Sequence, residues 1–281
     1  MANQMQATVQ GRYGPDAYRT TAETDLPDRA SGTSPQVYAR VAGLIFLLIA
    51  IMTPFAEFFV RRGLIVPGDV AATAANIVAS AALFRAGFAS DLVIFAIEVA
   101  QAAVLYVLFR PVSRTLALVM SFAKLAMATI LGLNLLNMFT ALQLLTGPEY
   151  AAAFDTGQRQ ALAFVFLSAQ RSGYALGMVF FGLYLAVMGY LVYRSGFLPR
   201  ILGLLSVVAA LGYLANSFTV FLFPDYADTL AVVVVVAALI GELPLTFWLL
   251  IKGVNVERWH RRARSSTTPI MTAPAAGSAT A

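Results

Sequence analysis

Apolar residues gather along the middle of the chain in six blocks, each interrupted by only a few polar positions. Crossing roughly 30 Å of hydrocarbon takes about 20 mostly apolar helical residues, and every block reaches that length. The predicted spans are Val41 to Val60, Gly87 to Phe109, Thr115 to Phe139, Ser172 to Tyr193, Arg200 to Leu222 and Asp228 to Ile251. The stretch Gln158 to Gln170 is also helical in pattern, and joined to Tyr193 it gives a helix too long for one crossing. A break near Ser172 and Gly173 is therefore expected.

The connections alternate in character. Arg110, Pro111 and Arg114 make one tight basic turn, and Arg194, Gly196, Pro199 and Arg200 make another, with Gly placed to stop a helix and Pro to start the next. The intervening loops are longer. Pro67, Gly68 and Asp69 precede an Ala-rich amphipathic helix whose Val70, Ile77, Val78 and Phe84 share a face suited to lying on the membrane surface. Gly147, Pro148 and Glu149 lead into a short helix ending near Asp155.

Residues 1–40 are polar and aperiodic, which predicts a disordered cytoplasmic tail. No signal-peptide pattern opens the chain, so insertion is expected to begin with the first membrane helix. Residues 41–259 form the six-helix domain, and residues 260–281 a basic, then disordered, cytoplasmic tail. Basic residues favour the side of the two tight turns and the chain ends, which predicts cytoplasmic termini and a multi-pass protein of the cell inner (plasma) membrane. Tyr106, Tyr190, Tyr193, Trp248 and Trp259 fall near that boundary as interface anchors.

Composition agrees and removes much chemistry. Hydrophobic residues make up 59% of the 281 and charged residues 12%, against roughly 45–50% and about 25% in soluble domains. The fold class predicted is all-α, an integral membrane bundle with short amphipathic helices in the outer loops. There is no Cys and a single His, His260. Thiolate and paired-imidazole metal sites, a serine–histidine dyad and bis-histidine haem are excluded. No phosphate loop occurs, so neither cofactor nor metal is expected. The pI near 9.6 reflects scattered turns and one short tail rather than a basic platform with interleaved aromatics, so no nucleic-acid partner is predicted. Membrane lipids are the expected partners, with Arg258 to Arg264 placed to meet anionic headgroups, and an oligomer is compatible with this pattern.

Ionisable residues inside hydrocarbon cost at least about 2.5 kcal/mol each and tend to face the bundle interior. In helices rising 1.5 Å per residue, an antiparallel register centred on Glu98 and Met127 brings Asp91 level with Asn134 and Gln101 level with Lys124. A Glu98–Lys124 ion pair follows, because either charge alone would be uncompensated. Asp91, Glu98, Lys124, Asn134 and Asn137 are the candidate ligand-binding residues, with Glu57, Gln101, Arg171, Asn216 and Glu242 behind them. Most of these polar groups fall in the outer third, which predicts an outward-facing cavity floored by the charged pair. Glu242 stands two residues before Pro244, where accommodation of a kink accounts for it better than a functional role.

The run Gly189 to Gly203, Gly-Tyr-Leu-Val-Tyr-Arg-Ser-Gly-Phe-Leu-Pro-Arg-Ile-Leu-Gly, resembles a stretch of the bacterial membrane family known as domain of unknown function 4386. Arg110-Pro-Val-Ser-Arg114, Gly132-Leu-Asn-Leu-Leu-Asn137, Gly212-Tyr-Leu214 and Lys252-Gly-Val254 resemble further positions of it. The resemblance spans Arg40 to about Trp259 and implies a polytopic inner-membrane protein, with no catalytic residues to transfer. Three functional readings stand. A small polar or amphipathic solute binds or permeates through the cavity. Alternatively, the chain is a structural or regulatory membrane subunit, or an intramembrane enzyme acting on lipid. Asp91 and Glu98, about 10.5 Å apart along a helix, are wide for an acid–base pair on one bond, which weighs against an enzyme.

Overall fold

The computed structural model describes residues 33–265; the remainder of both expected tails lies outside the described residues. Six helices are long and apolar enough to cross a membrane. They are α1 (Pro35–Leu64), α3 (Ala81–Phe109), α4 (Arg114–Thr146), α6 (Thr156–Ser195), α7 (Arg200–Leu222) and α8 (residues 227–252). Three short helices join them: α2 (Val70–Ala79), α5 (Pro148–Ala153) and α9 (Val256–Ser265). No strand occurs among the described residues. The tight turns between α3 and α4 and between α6 and α7 share one end of the bundle with the start of α1 and with α9; α2 and α5 occupy the other. We call these the turn end and the loop end.

Lipid as solvent inverts the usual division of surface. Phe122, Leu133, Leu211, Val232 and Ile251 are all more than half exposed, whereas Asp91, Glu98, Gln101 and Lys124 are buried. Within hydrocarbon, helices gain by close packing and shared polar contacts rather than by hiding apolar area. Gly189 and Gly203 illustrate this on the stretch that carries the resemblance. A methyl group built on either would meet backbone of the partner helix, so α6 and α7 cross there main chain against main chain. The turn between them follows expectation: Gly196, at φ 74°, ends α6, and Pro199 precedes Arg200.

Three expectations are corrected. α6 does not break near Ser172 and Gly173: it runs unbroken for 40 residues, about 60 Å at the helical rise. A capping box of Asp155 and Gln158 starts it. Gly173 serves packing rather than interruption, because the Asn134 side chain occupies the space where its Cβ would stand. Second, α2 does not lie flat with Val70, Ile77, Val78 and Phe84 on lipid. Its Thr73, Ala74 and Ile77 are buried, Val78 is half exposed, and Phe84 belongs to α3 beyond Ser80. The loop-end overhangs of α4 and α6 provide a nearer apolar surface, and Ile77 joins Val60, Leu142 and Leu167 in a core there.

Third, the first helix begins at Pro35 rather than after residue 40, held by Gln36, which donates to the Lys252 carbonyl and accepts from the Val254 amide. The basic residues 260–265, ahead of the expected disorder, are helical within α9. Trp259 docks that helix by donating its indole N–H to the Leu108 carbonyl at 2.9 Å, and Arg258 donates to the Gly196 carbonyl at 3.2 Å.

Two spans widen into π-helical turns, at Phe55–Arg61 of α1 and at Ala238–Glu242 and Trp248–Lys252 of α8. Pro54 immediately precedes the first and Pro244 follows the second, each removing an amide from the helical ladder. Next to Pro244 the Thr246 hydroxyl donates back to the Glu242 carbonyl at 2.8 Å.

Candidate functional site: buried charge in the membrane core

One face of α3 carries Asp91, Glu98 and Gln101, spaced so that helical periodicity aligns them. Each meets a different environment. Glu98 forms an ion pair with the Lys124 ammonium of α4. The hairpin register predicted from sequence is realised beside it, where the Ser121 hydroxyl donates to the Ala102 carbonyl at 3.1 Å. Lys124 also stands 4.1 Å from the centroid of Tyr184 and 5.9 Å from that of Phe46, so aromatic faces from α6 and α1 stabilise the same ammonium.

The aromatic wall continues across the bundle. Tyr184 lies against Phe181 at 5.7 Å, and Phe181 meets the ring of Tyr213 edge-on at 4.8 Å. Tyr213 then donates its hydroxyl to Glu242 Oε1 at 2.5 Å. This inner group therefore runs from the Glu98–Lys124 pair along three aromatic rings to Glu242, which a phenol holds. Gln101, one turn from Glu98, is fully buried, and neither atom of its amide has a hydrogen-bond partner. Such an orphaned amide costs about 1–3 kcal/mol per unsatisfied group.

Asp91 belongs to a second group. Arg61 donates from Nη1 to Asp91 Oδ2 at 2.5 Å and from Nε to Glu57 Oε2 at 2.8 Å. Arg62 donates to the other oxygen of Glu57 at 3.1 Å and lies over Phe58 at 5.1 Å. The π-helical turn makes this possible, since it places residues four and five apart on one side, and the Arg62 amide bonds to the Glu57 carbonyl in the wider repeat.

Asn134 and Asn137 form a third group. Asn134 donates to the Gln170 carbonyl at 2.8 Å and accepts from Asn137 at 2.9 Å, bridging α4 to α6 at Gly173. The five leading candidates thus divide among three local groups. Of the remainder, Glu57 and Glu242 join charged groups, Asn216 is half-buried with an unpartnered side-chain oxygen, and Arg171 is exposed on α6.

Sequence reasoning missed Arg61, Arg62, Tyr184 and Tyr213. Arg61 fell just past the predicted end of the first span at Val60, although its spacing from Glu57 is that of a helical ion pair. Among the described residues no cluster of three or more acidic or imidazole groups is set to hold a metal. Two hollows open on the surface, of about 540 Å³ at the turn end and about 230 Å³ beside Phe84, Phe88 and Phe139, and the buried charges line neither.

Six spanning helices, lipid-facing apolar side chains and charge gathered inside the bundle define a polytopic helical membrane protein. The family comparison narrows this class. The chain belongs to the family described as Domain of unknown function (DUF4386), whose profile matches residues 41–253. It is similar to an uncharacterized protein of Archaeoglobus fulgidus, 33% identical over 160 residues that cover 57% of this chain and 79% of that protein. No solved structure matches the chain.

Proposed function

We propose that the chain binds a small polar or amphipathic solute within the membrane, in a site that opens toward the loop end, and that the preferred solute carries positive charge. Asp91 and Glu98 supply the acidic groups, Lys124 the counter-ion, and Asn134 and Asn137 the hydrogen-bonding wall. In this reading both chain termini lie in the cytoplasm and the loop end outside, on the side poorer in basic residues. The observation that carries the reading is the inner group: Glu98 is paired with Lys124, Glu242 has a phenol but no cation, and the Gln101 amide beside Glu98 is unpartnered. A cation that reaches Glu242 supplies the partner its ionised form lacks inside hydrocarbon.

The test is thermal unfolding of the full chain in detergent with tetramethylammonium and primary alkylamines. The expected outcome is a ligand-dependent rise in Tm that Glu242→Gln and Gln101→Leu each abolish while the unliganded Tm holds. A rival reading, a structural or regulatory subunit, is favoured by the mutual pairing of Glu98 with Lys124. It requires that Glu98→Leu with Lys124→Met leave both Tm and cellular phenotype unchanged, and that no amine shift the wild-type Tm.

A further inference from the structure

The larger hollow plays no part in that reading. It lies at the turn end, between the turn joining α3 to α4 and the docked helix α9. Tyr106, Arg110, Ser113 and Arg114 form one wall, and Trp259 and Ala263 form the other, around about 540 Å³. No carboxylate lines it. Among the described residues neither Arg110 nor Arg114 has an ion-pair partner. Elsewhere on α9, Arg258 donates to the Gly196 carbonyl and Arg261 pairs with Glu257 at 3.2 Å.

The fold fixes the turn that carries both arginines. Val112 and Ser113 amides bond to the Phe109 carbonyl, and Phe109 stacks on Phe197 of the neighbouring turn at 6.1 Å. The Ser113 side-chain oxygen accepts from the Leu116 amide, which leaves its hydrogen available to donate. Trp259 closes the far side through its bond to Leu108. A pocket with two uncompensated arginines, a serine hydroxyl, a phenol and the start of a 33-residue helix has the chemistry of a phosphate site. Its level matches as well, since helices start and stop here among aromatic side chains, where hydrocarbon meets headgroups.

We infer that this hollow binds a phosphate group between Arg110 and Arg114, carried by an anionic lipid headgroup or free in solution. Bound there, the phosphate sits on the α3–α4 turn, with Trp259 and Ala263 of α9 as its far wall, and neutralises charge that the protein leaves open.

The chain has two tryptophans, so Trp248→Phe leaves Trp259, in the wall of the hollow, as the sole reporter. The full chain is placed in phosphatidylcholine nanodiscs, and brominated phosphatidylglycerol is titrated in with its fluorescence followed. The expected result is saturable quenching at a few lipids per protein, not matched by brominated phosphatidylcholine, and about 30-fold weaker in R110Q/R114Q, taking roughly 1 kcal/mol for each arginine. R194Q/R200Q, an equal charge loss at the same end but outside the hollow, retains it. If R110Q/R114Q does not fold, R110K/R114K keeps the charge without the planar fork, and several-fold weaker binding is expected. Millimolar inorganic phosphate that displaces the lipid identifies a soluble phosphate as an occupant; failure to displace it identifies the lipid. Equal quenching by both lipids, or equal loss in R194Q/R200Q, overturns the inference.

Discussion

Two groups of charge share one face of α3, seven residues apart, and they are built in opposite ways. The group at Asp91 is mostly local: Glu57, Arg61 and Arg62 come from one π-helical turn, and a single contact between helices adds Asp91. It also reaches the surface, with the Glu57 side chain 37% and that of Arg62 57% exposed. The group at Glu98 has no local partner. Lys124 comes from α4, the ring over it from α6, and the two charged side chains are 6% and 1% exposed. When a contact in the first group breaks, water or headgroups can solvate what remains. When one breaks in the second, nothing can, and the same chemistry carries a different cost.

Lys124→Met attacks the enclosed group most directly. It strands Glu98, and about 3–5 kcal/mol of stability is expected to vanish, read as the midpoint of denaturant unfolding in micelles. Adding Glu98→Leu to the same chain restores most of it, because an apolar pair of similar volume replaces the ions. A single variant as stable as the parent shows that the two charges are solvated, and ends the contrast.

Arg61→Met tests the open group. Asp91 is left buried without its partner, but Glu57 keeps Arg62, so a loss of about 2 kcal/mol is expected by the same measurement. A loss as large as that of Lys124→Met makes the two groups equivalent. Polar packing without net charge gives a point below both. Gly173→Ala drives a methyl group into Asn134 and is expected to cost about 1–2 kcal/mol. Asn134→Ala in the same chain relieves it, and a double-mutant cycle that finds the two changes additive contradicts the contact. Arg62→Gln, at the exposed rim, is expected to move stability by no more than about 0.5 kcal/mol.

The reach of sequence reasoning follows the same division. Span number and order came through, since each depends on about twenty consecutive residues. The Glu98–Lys124 pair came through because hairpin geometry limits which opposite charge can reach a buried one, and a lone charge in hydrocarbon is too costly to leave. Asp91 was placed level with Asn134 in the site floored by that pair, whereas it binds Arg61. Span boundaries drawn by hydropathy ended α1 at Val60, one residue before the arginine. The π turn after Pro54 keeps the helix running to Leu64 and brings Arg61 back inward. Gly173 was read as a break, because a glycine that ends a helix and one that admits a neighbour look alike in one dimension.

By itself the sequence determined which solvent each segment meets, because transfer between water and hydrocarbon is decided residue by residue and summed along the chain. It also determined that charges within the spans must find partners. Only the tertiary structure decided which partners: that α4 and α6 overhang and take α2 as cover, that the rings of Tyr184 and Tyr213 lead from Lys124 to Glu242, and that α9 folds back over the α3–α4 turn. Those choices depend on how far each helix extends and how it is rotated, quantities set by contacts between residues remote in the chain.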